Sequence, residues 1–303
     1  MTIDADGADR RLDNFLLTEL KGLPRTRIYR LIRKGEVRVN KGRSKPAYRL
    51  VSGDVVRIPP LHVSDSGPAA LADEARSGWI LTHIIFEDER LLVLDKPSGL
   101  AVHGGSGVSL GAIELLRAAR PESPYLELVH RLDRDTSGCL LVAKKRSALR
   151  SLHEQMRAGE IDKRYQALLV GRWQGGDRNV ELPLEVEHRQ GGERHVRVSH
   201  SGKAARTVFR PQEIFAGAVL CEVQLFTGRT HQIRVHAAAL GLPVAGDNRY
   251  GADVTAPAGL RRLFLHAGRL GWTDPLTGRP MTVTAALPAA LESVLAELRR
   301  ARD

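Results

Sequence analysis

The sequence has few of the features that mark secreted, zinc-dependent or membrane proteins. Its 303 residues include only two cysteines, Cys139 and Cys221, which lie in separate apolar segments without C-x-x-C spacing. This pattern argues against a disulfide framework and a zinc site, and we expect both thiols to be buried. The chain also lacks an apolar run of transmembrane length and a charged-then-apolar signal segment at its start. We therefore expect a cytoplasmic protein.

The signatures of nucleotide-binding folds are missing as well. Residues 96–107 are rich in glycine but lack the Lys-Ser or Lys-Thr pair that completes a Walker A motif, so K-P-S-G at residues 96–99 is predicted to form a tight turn. No glycine fingerprint marks a β-α-β unit. Residues 80–303 instead alternate short apolar runs with turns and helical stripes. This alternation favours an α+β fold with a mixed or antiparallel sheet flanked by helices.

Positive charge is concentrated in one block of the chain. The formal net charge is +11, and residues 10–57 alone hold 14 Lys and Arg against 4 Asp and Glu. Two helical stripes are predicted within this block, one around Leu12 and Leu16 and one around Ile28 and Ile32. Five basic residues lie on or beside the second stripe: Arg25, Arg27, Arg30, Arg33 and Lys34. By itself, such a block is equally consistent with a solvated surface and with a phosphate-binding surface.

The order of short motifs in this block favours RNA binding. R-x-D-x-F-L at residues 11–16 is followed by the basic helix, by G-E-V-R-V-N at residues 35–40 and by G-D-x-V-x-I at residues 53–58. This order resembles the S4 RNA-binding domain, and the resemblance implies that the basic residues contact phosphates with little base specificity. We predict an S4 domain at residues 10–58, a linker at residues 59–79 and a larger domain at residues 80–303.

Asp133 is the strongest candidate for chemistry. It lies in residues 130–138, H-R-L-D-R-D-T-S-G, where Arg131 and Arg134 flank it. Neighbouring cations favour the ionised form of a carboxylate, which can act as a nucleophile. For an isolated R-x-D, a turn residue in a salt bridge is the better interpretation. The whole segment, however, resembles the signature of the pseudouridine synthases that modify large ribosomal RNA and some transfer RNA. This resemblance implies that Asp133 is the nucleophile, and we interpret Asp135 as part of the turn.

Further segments match the same family, at residues 93–99, 163–171, 227–236, 246–251 and 263–267. The resemblance implies that Tyr165 packs against the target base, that Arg229 pairs with the catalytic aspartate, and that Leu265 lines the base pocket. Arg131 would enter the space that the flipped-out nucleotide vacates. Together, these segments predict an active site assembled from parts of the chain that are distant in sequence.

The combination of the S4 domain with V-H-G-G-S-G at residues 102–107 resembles the bacterial branch of this family that modifies several uridines of 23S ribosomal RNA. The resemblance implies isomerisation of uridine to pseudouridine in 23S rRNA or a large-subunit precursor, a reaction that needs no cofactor. We expect a monomer without a membrane partner. We expect no metal site, since His231 and His236 have no third ligand at a recognised spacing. The implied fold is a small S4 domain followed by a catalytic domain with one mixed, largely antiparallel sheet.

Two other functions are open on the sequence. A non-catalytic RNA-binding or ribosome-assembly factor fits the S4 block equally well, but such a factor does not need a carboxylate facing polyanionic RNA. A base-excising glycosylase shares base flipping and a carboxylate with the synthases, but not these motifs. The sequence therefore favours the synthase.

Overall fold

The computed structural model describes residues 1–4, 7–20, 23, 25–60, 77–104, 110–188 and 194–301. It contains two compact units, Met1–Ser77 and Gly78–Asp303. Most of the predicted linker, residues 61–76, lies outside the described residues, as do residues 105–107 of the V-H-G-G-S-G segment. Within the described part of the chain, no helix is long and apolar enough to span a membrane.

The first unit packs two short helices with a pair of short strands. Helix α1 spans Leu12–Glu19 and α2 spans Arg25–Lys34, while β1 (Arg38–Val39) and β2 (Val56–Arg57) pair in antiparallel register. One apolar cluster joins all four elements through Leu12, Phe15, Leu16, Ile28, Leu31, Ile32, Val39 and Val56. The two predicted helical stripes are therefore confirmed. Helix α2 ends before Gly35, whose φ of +73° suits a glycine at a helix C-terminus.

The second unit contains the remaining strands and helices. Its strands are β3 (Ile84–Glu87), β4 (Leu91–Lys96), β5 (Glu127–Leu128), β6 (Ser137–Ala143), β7 (Asp162–Val170), β8 (Arg178–Val180), β9 (Leu184–His188), β10 (Arg194–Val198), β11 (Thr207–Phe215), β12 (Ala218–Leu225), β13 (Leu265–Thr273) and β14 (Pro280–Thr284). Its α-helices are α3 (Ala112–Ala119), α4 (Arg146–Ala158), α5 (Gln232–Ala239) and α6 (Ala289–Arg300). Short 3-10 helices span Gly78–His83 and Pro257–Gly259.

Ten of these strands form one sheet. Their order is β3-β4-β6-β13-β7-β12-β11-β8, with β5 beside β6 and β14 beside β13. The β6–β13 pair is parallel and the other pairs of the sheet are antiparallel. Strands β9 and β10 form a separate antiparallel hairpin. The predicted α+β fold with a mixed, largely antiparallel sheet is therefore confirmed.

Strand β6 lies inside the sheet and is buried along its whole length. Leu140 and Val142 join an apolar cluster that contains residues of α3. Cys139 and Leu141 join a different cluster, which contains a residue of α4. This alternation is expected for a strand that is covered on both faces. Both cysteines of the chain are buried, as predicted, and the loop before β6 leads into a strand that is buried and paired on both edges.

Candidate active site

A cavity of about 530 Å³ lies in the second unit. Its walls come from the loop before β6, from β7, from the loop before α5 and from the start of β13. Every residue of this unit to which the sequence assigned a role lines it: Arg131, Asp133, Tyr165, Arg229 and Leu265. The structure thus brings together residues that are spread over more than 130 positions of the chain.

The loop that carries Asp133 is held by the K-P-S-G turn after β4. Lys96 is fully buried, and its ammonium group donates to the backbone oxygens of Arg134 at 3.0 Å, Pro97 at 2.9 Å and Leu100 at 2.8 Å. The Gly99 N–H donates to the same Arg134 oxygen at 2.9 Å. The sequence predicted a turn here but gave its lysine no role. The structure shows that this lysine fixes the backbone one residue beyond Asp133.

The glycine of the signature segment is required by the sheet. Gly138 is the second residue of β6, has a φ of +108° and lies opposite Ala267 of β13 in the parallel pair. A Cβ at this position would lie 2.4 Å from the Ala267 oxygen, a distance that real side chains do not reach. Only glycine lets the two strands approach this closely. Asp133 therefore lies five residues before Gly138, whose close contact with β13 fixes the end of this segment.

The arginine that pairs with Asp133 is Arg234, in the first turn of α5. Its Nη1 lies 3.8 Å from Asp133 Oδ2. The same guanidinium donates twice to Asp247, from Nε to Oδ2 and from Nη2 to Oδ1, both at 2.7 Å. Asp247 Oδ1 also accepts the backbone N–H groups of Arg249 at 2.9 Å and Tyr250 at 3.1 Å. A planar fork fixed in this way presents its remaining donor in a defined direction.

Burial and ion pairing act in opposite directions on this pair. Burial alone disfavours the charge on Arg234, but the hydrogen bonds and charge of Asp247, together with the charge of Asp133, raise the pKa of the guanidinium overall. Burial likewise opposes ionisation of Asp247, yet the hydrogen bond and charge of Arg234 leave the pKa of that carboxyl below its usual range. Both groups are therefore charged near neutral pH, so that Arg234 always offers a cation to Asp133.

The sequence-based pairing of Asp133 with Arg229 is not the one that the structure contains. Arg229 is exposed, and its Nε donates to the Ala204 oxygen at 3.0 Å. The physical reason is a turn at His231, whose φ of +53° ends the loop and starts α5 at the next residue. This turn leaves Arg229 on the loop at the cavity wall and places Arg234 on the helix, within reach of Asp133.

Sequence reasoning missed Arg234 and Asp247 for a clear reason. Arg229 and Arg234 lie within six residues of each other in the same motif. Only the presence of a carboxylate that binds the guanidinium shows which of the two is held in place. That partner, Asp247, lies 13 residues beyond Arg234 in a segment that was recognised but given no chemical role. The signal that could have found this pair was Asp247 itself, an acidic residue within a segment that matches the family and to which no role was assigned.

Tyr165 and Leu265 form an apolar part of the cavity wall. They lie on the neighbouring strands β7 and β13, and their residues are only 7% and 3% exposed. Burial, with a smaller effect from the charge of Asp133, raises the pKa of the Tyr165 hydroxyl above its ordinary value. The phenol therefore stays protonated, and its ring offers a face rather than a base to a bound group.

The charged side chains of the cavity wall are mainly basic. Arg131 is exposed at the cavity, and Lys163 lies two residues before Tyr165 on β7. Burial lowers the pKa of Lys163. Asp133 is the one carboxylate among the residues that line the cavity, against the four cationic side chains of Arg131, Lys163, Arg229 and Arg234. Such a balance favours a polyanionic ligand.

The first unit presents its predicted phosphate-binding residues on α2. The side chains of Arg30, Arg33 and Lys34 are exposed, and that of Arg27 is partly buried. Arg25 belongs to the helix, but its side chain lies outside the described part of the structure. The apolar face of α2 is buried, so the exposed face of the helix is strongly cationic.

Comparison with known proteins agrees with this architecture. The family model for RNA pseudouridylate synthase matches residues 90–239, and the S4 domain model matches residues 10–56. Ribosomal large subunit pseudouridine synthase C of Escherichia coli (strain K12) is 53% identical over 100% of this chain and 97% of its own length. The protein of the same name from Haemophilus ducreyi is 51% identical, over 98% of this chain and 95% of its own.

Two solved human structures have the same fold. RNA pseudouridylate synthase domain containing 4 matches with a TM-score of 0.61 and 25% identity, over 75% of this chain and 96% of that one. RNA pseudouridylate synthase domain containing 1 matches with a TM-score of 0.54 and 27% identity, over 71% of this chain and 94% of that one. The chain therefore belongs to the RNA pseudouridylate synthase family, as an RNA pseudouridine synthase that also carries an S4 domain.

Proposed function

We propose that this enzyme converts specific uridines of 23S ribosomal RNA, in the large subunit or its precursor, to pseudouridine. The observation that carries the proposal is the cavity that Asp133, its partner Arg234 and the buried Tyr165 line together. The names of the relatives, ribosomal large subunit pseudouridine synthase C, support the choice of RNA. Such a substrate places the activity in the cytoplasm.

Asp133 starts the reaction in this proposal. Its carboxylate either attacks C1′ directly or removes a proton from the sugar, and in both routes the C1′–N1 bond breaks and its electron pair leaves with the uracil. The base then turns and C5 bonds to C1′. In the first route the bond between Asp133 and C1′ breaks as this bond forms, and in the second route the sugar takes its proton back from Asp133. The proton on C5 is then lost and N1 gains a proton. Arg234 orients the carboxylate throughout, because its own position is fixed by Asp247. The isomerisation balances without a cofactor.

The apolar part of the cavity receives the flipped-out base. A flipped base loses its stacking neighbours, and the ring of Tyr165 replaces one of them while Leu265 packs against the edge of the pocket. Arg131, exposed beside the catalytic loop, enters the space that the nucleotide vacates. Arg229 lines the cavity without pairing with Asp133, and its exposed charge suits an RNA phosphate.

The S4 domain brings the RNA to this site. We assign it to residues 10–58, the linker to residues 59–79 and the catalytic domain to residues 80–303, in a chain that acts as a monomer. The phosphate contacts are made by α2, through Arg25, Arg27, Arg30, Arg33 and Lys34. Contacts of this kind add affinity but little base specificity, and they weaken steeply as salt rises.

The test is tritium release from 23S rRNA labelled at C5 of uridine, combined with nucleoside analysis of the product. The proposal predicts release of tritium and formation of pseudouridine, with no free uracil. Free uracil would instead indicate a glycosylase. Tight RNA binding without either product would indicate an assembly factor and would contradict the proposed reaction.

A further inference from the structure

His231 lines the active-site cavity but has no part in the proposed reaction so far. It is the residue before α5, and its φ of +53° is in the left-handed region, which few non-glycine residues adopt and in which histidine is one of the more frequent. A strained backbone at a cavity wall is kept only where surrounding contacts enforce it. Here those contacts involve the side chain as well.

One nitrogen of the imidazole is bound to Tyr250. Nδ1 of His231 lies 2.8 Å from the Tyr250 hydroxyl, and the Val196 N–H donates to the same hydroxyl oxygen at 3.2 Å. Burial raises the pKa of Tyr250, so the phenol keeps its single proton. Within the described part of the chain, Nδ1 is the remaining acceptor for that proton. This hydroxyl therefore donates to Nδ1, and the proton of a neutral imidazole lies on Nε2.

The imidazole is also kept neutral by its surroundings. Burial is the largest influence and lowers the pKa of His231; the charges of Arg234 and Arg249 act in the same direction, while those of Asp133 and Asp247 oppose them. The Nε2 atom has no hydrogen-bond partner among the described residues. His231, a residue of the cavity wall, thus has a neutral N–H donor without a partner among the described residues, close enough to Asp133 to feel its charge.

We propose that the Nε2–H of His231 donates a hydrogen bond to a carbonyl oxygen of the target uracil. The inference rests on the proposed function, because it names a further contact of the same substrate. Phosphates attract charged donors, which Arg131, Lys163 and Arg229 already supply at this cavity. A neutral donor suits an oxygen that gains negative charge only during the reaction.

The uracil carbonyls are such oxygens. When the C1′–N1 bond breaks, its electron pair passes into the uracil ring and is shared with the carbonyl oxygens. The hydrogen bond from His231 stabilises this charge without transferring a proton to it, so the base remains reactive at C5. When C5 has bonded to C1′, the charge disappears and the hydrogen bond weakens again. No proton or electron is taken from His231 in the cycle.

Tyr250 is the positioning residue for this contact. The centre of its ring lies 5.1 Å from the Arg234 guanidinium carbon and 5.4 Å from the centre of the His195 ring on β10, and these two contacts help to hold it. Its hydroxyl selects the tautomer of His231. Tyr250→Phe is therefore expected to release that selection while leaving the imidazole in place.

Single-turnover pseudouridine formation on saturating 23S rRNA tests the contact. We expect His231→Ala to lower the rate on the order of 10²-fold, the effect typical for loss of one donor to developing charge, with RNA affinity changed less than about threefold. His231→Gln, which keeps an N–H donor, should recover part of the rate. His200→Ala, at an exposed histidine away from the cavity, is the matched control and should behave as the wild type.

A wild-type rate in His231→Ala, or a loss confined to RNA affinity, would overturn the proposal. A second measurement, made first on the wild-type protein, does not depend on how the His231 variants fold. Nitrogen-15 NMR of the histidine rings in the wild-type protein should show His231 protonated at Nε2, and a mixture of tautomers in Tyr250→Phe; protonation at Nδ1 in the wild type would also overturn it. If the wild type itself made no pseudouridine, the proposed function would fail instead, and the two failures are distinguishable.

Discussion

The two units of this enzyme use positive charge in opposite ways. In the S4 unit, the basic residues of α2 lie on the surface, where Arg30, Arg33 and Lys34 are exposed. In the synthase unit, the key cation is buried: the Arg234 side chain is 9% exposed and donates two hydrogen bonds to Asp247. Exposed charges contribute to RNA affinity independently and are screened by salt. A buried, doubly bound arginine instead orients one carboxylate.

Arg229 and Arg234, which lie in the same motif, allow the most direct comparison of an exposed and a buried cation. Arg234→Lys removes the bidentate fork and is expected to lower the single-turnover rate on the order of 10²–10³-fold, as loss of a fixed donor at a charged centre does. Arg229→Lys keeps a cation at the cavity wall and should cost less than about tenfold. The measurement is pseudouridine formation on 23S rRNA. Equal losses in both variants would contradict the assignment of Arg234 as the partner of Asp133.

Removing Asp247 should show that a buried ion pair contributes more to the free energy of unfolding than an exposed one. Asp247→Asn removes the carboxylate that accepts two hydrogen bonds from the buried Arg234 and leaves it with the looser pair to Asp133 at 3.8 Å. The free energy of unfolding should fall by about 3–5 kcal/mol. Glu185→Gln, which breaks the surface pair between Glu185 and Arg197 at 3.2 Å, should cost no more than about 1 kcal/mol. Urea unfolding of both variants measures the contrast. A similar loss in the two would mean that the Arg234 pair behaves as a surface pair.

Lys96 extends the contrast between buried and exposed cations to pH. Burial lowers its pKa from 10.5 to about 7. Between these values the unfolded chain binds a proton that the folded chain does not, so this group makes the free energy of unfolding rise with pH over that window and contributes no slope below it. The rise should be present in the wild type and absent in Lys96→Met, measured by urea unfolding from pH 6 to about pH 10. If the free energies of unfolding of the wild type and Lys96→Met differed by the same amount at every pH, the pKa of Lys96 would not be lowered.

The smallest effects are expected on the S4 surface. Arg30→Ala or Arg33→Ala should weaken RNA binding and reduce the slope of log affinity against log salt by about 1 for each lost phosphate contact. The rate at saturating RNA should not change. Arg300→Ala, at an exposed arginine of α6, serves as the control and should leave the slope unaltered. A steep loss of rate in the α2 variants would contradict the division of labour between the two units.

The sequence predicted the local structure well where one face of an element is apolar. The stripes of α1 and α2 and the apolar run of β6 identify their elements, because burial of one face or of both faces dictates the residue types. It could not predict that β6 pairs in parallel with β13. Ser137 and His266, which face each other there, are 129 residues apart, and nothing in either segment specifies the partner.

The candidate site shows the same division. Asp133, Tyr165 and Leu265 were found from short motifs, and the structure places all three in one cavity. The choice between Arg229 and Arg234 failed because it depends on a turn at one residue and on a distant carboxylate. The role of Lys96 could not be seen either, since its acceptors are backbone oxygens, which every residue has. Motifs reveal which residues matter, whereas contacts between segments decide what each of them does.

We propose that Asp133 reacts with the nucleotide, while Arg234 orients its carboxylate and the exposed basic residues bind the RNA. The most direct test of this claim is single-turnover tritium release from C5-labelled 23S rRNA by Asp133→Asn, together with RNA affinity at the same salt concentration. We expect an affinity close to that of the wild type and no detectable pseudouridine. Tritium release near the wild-type rate would contradict the claim.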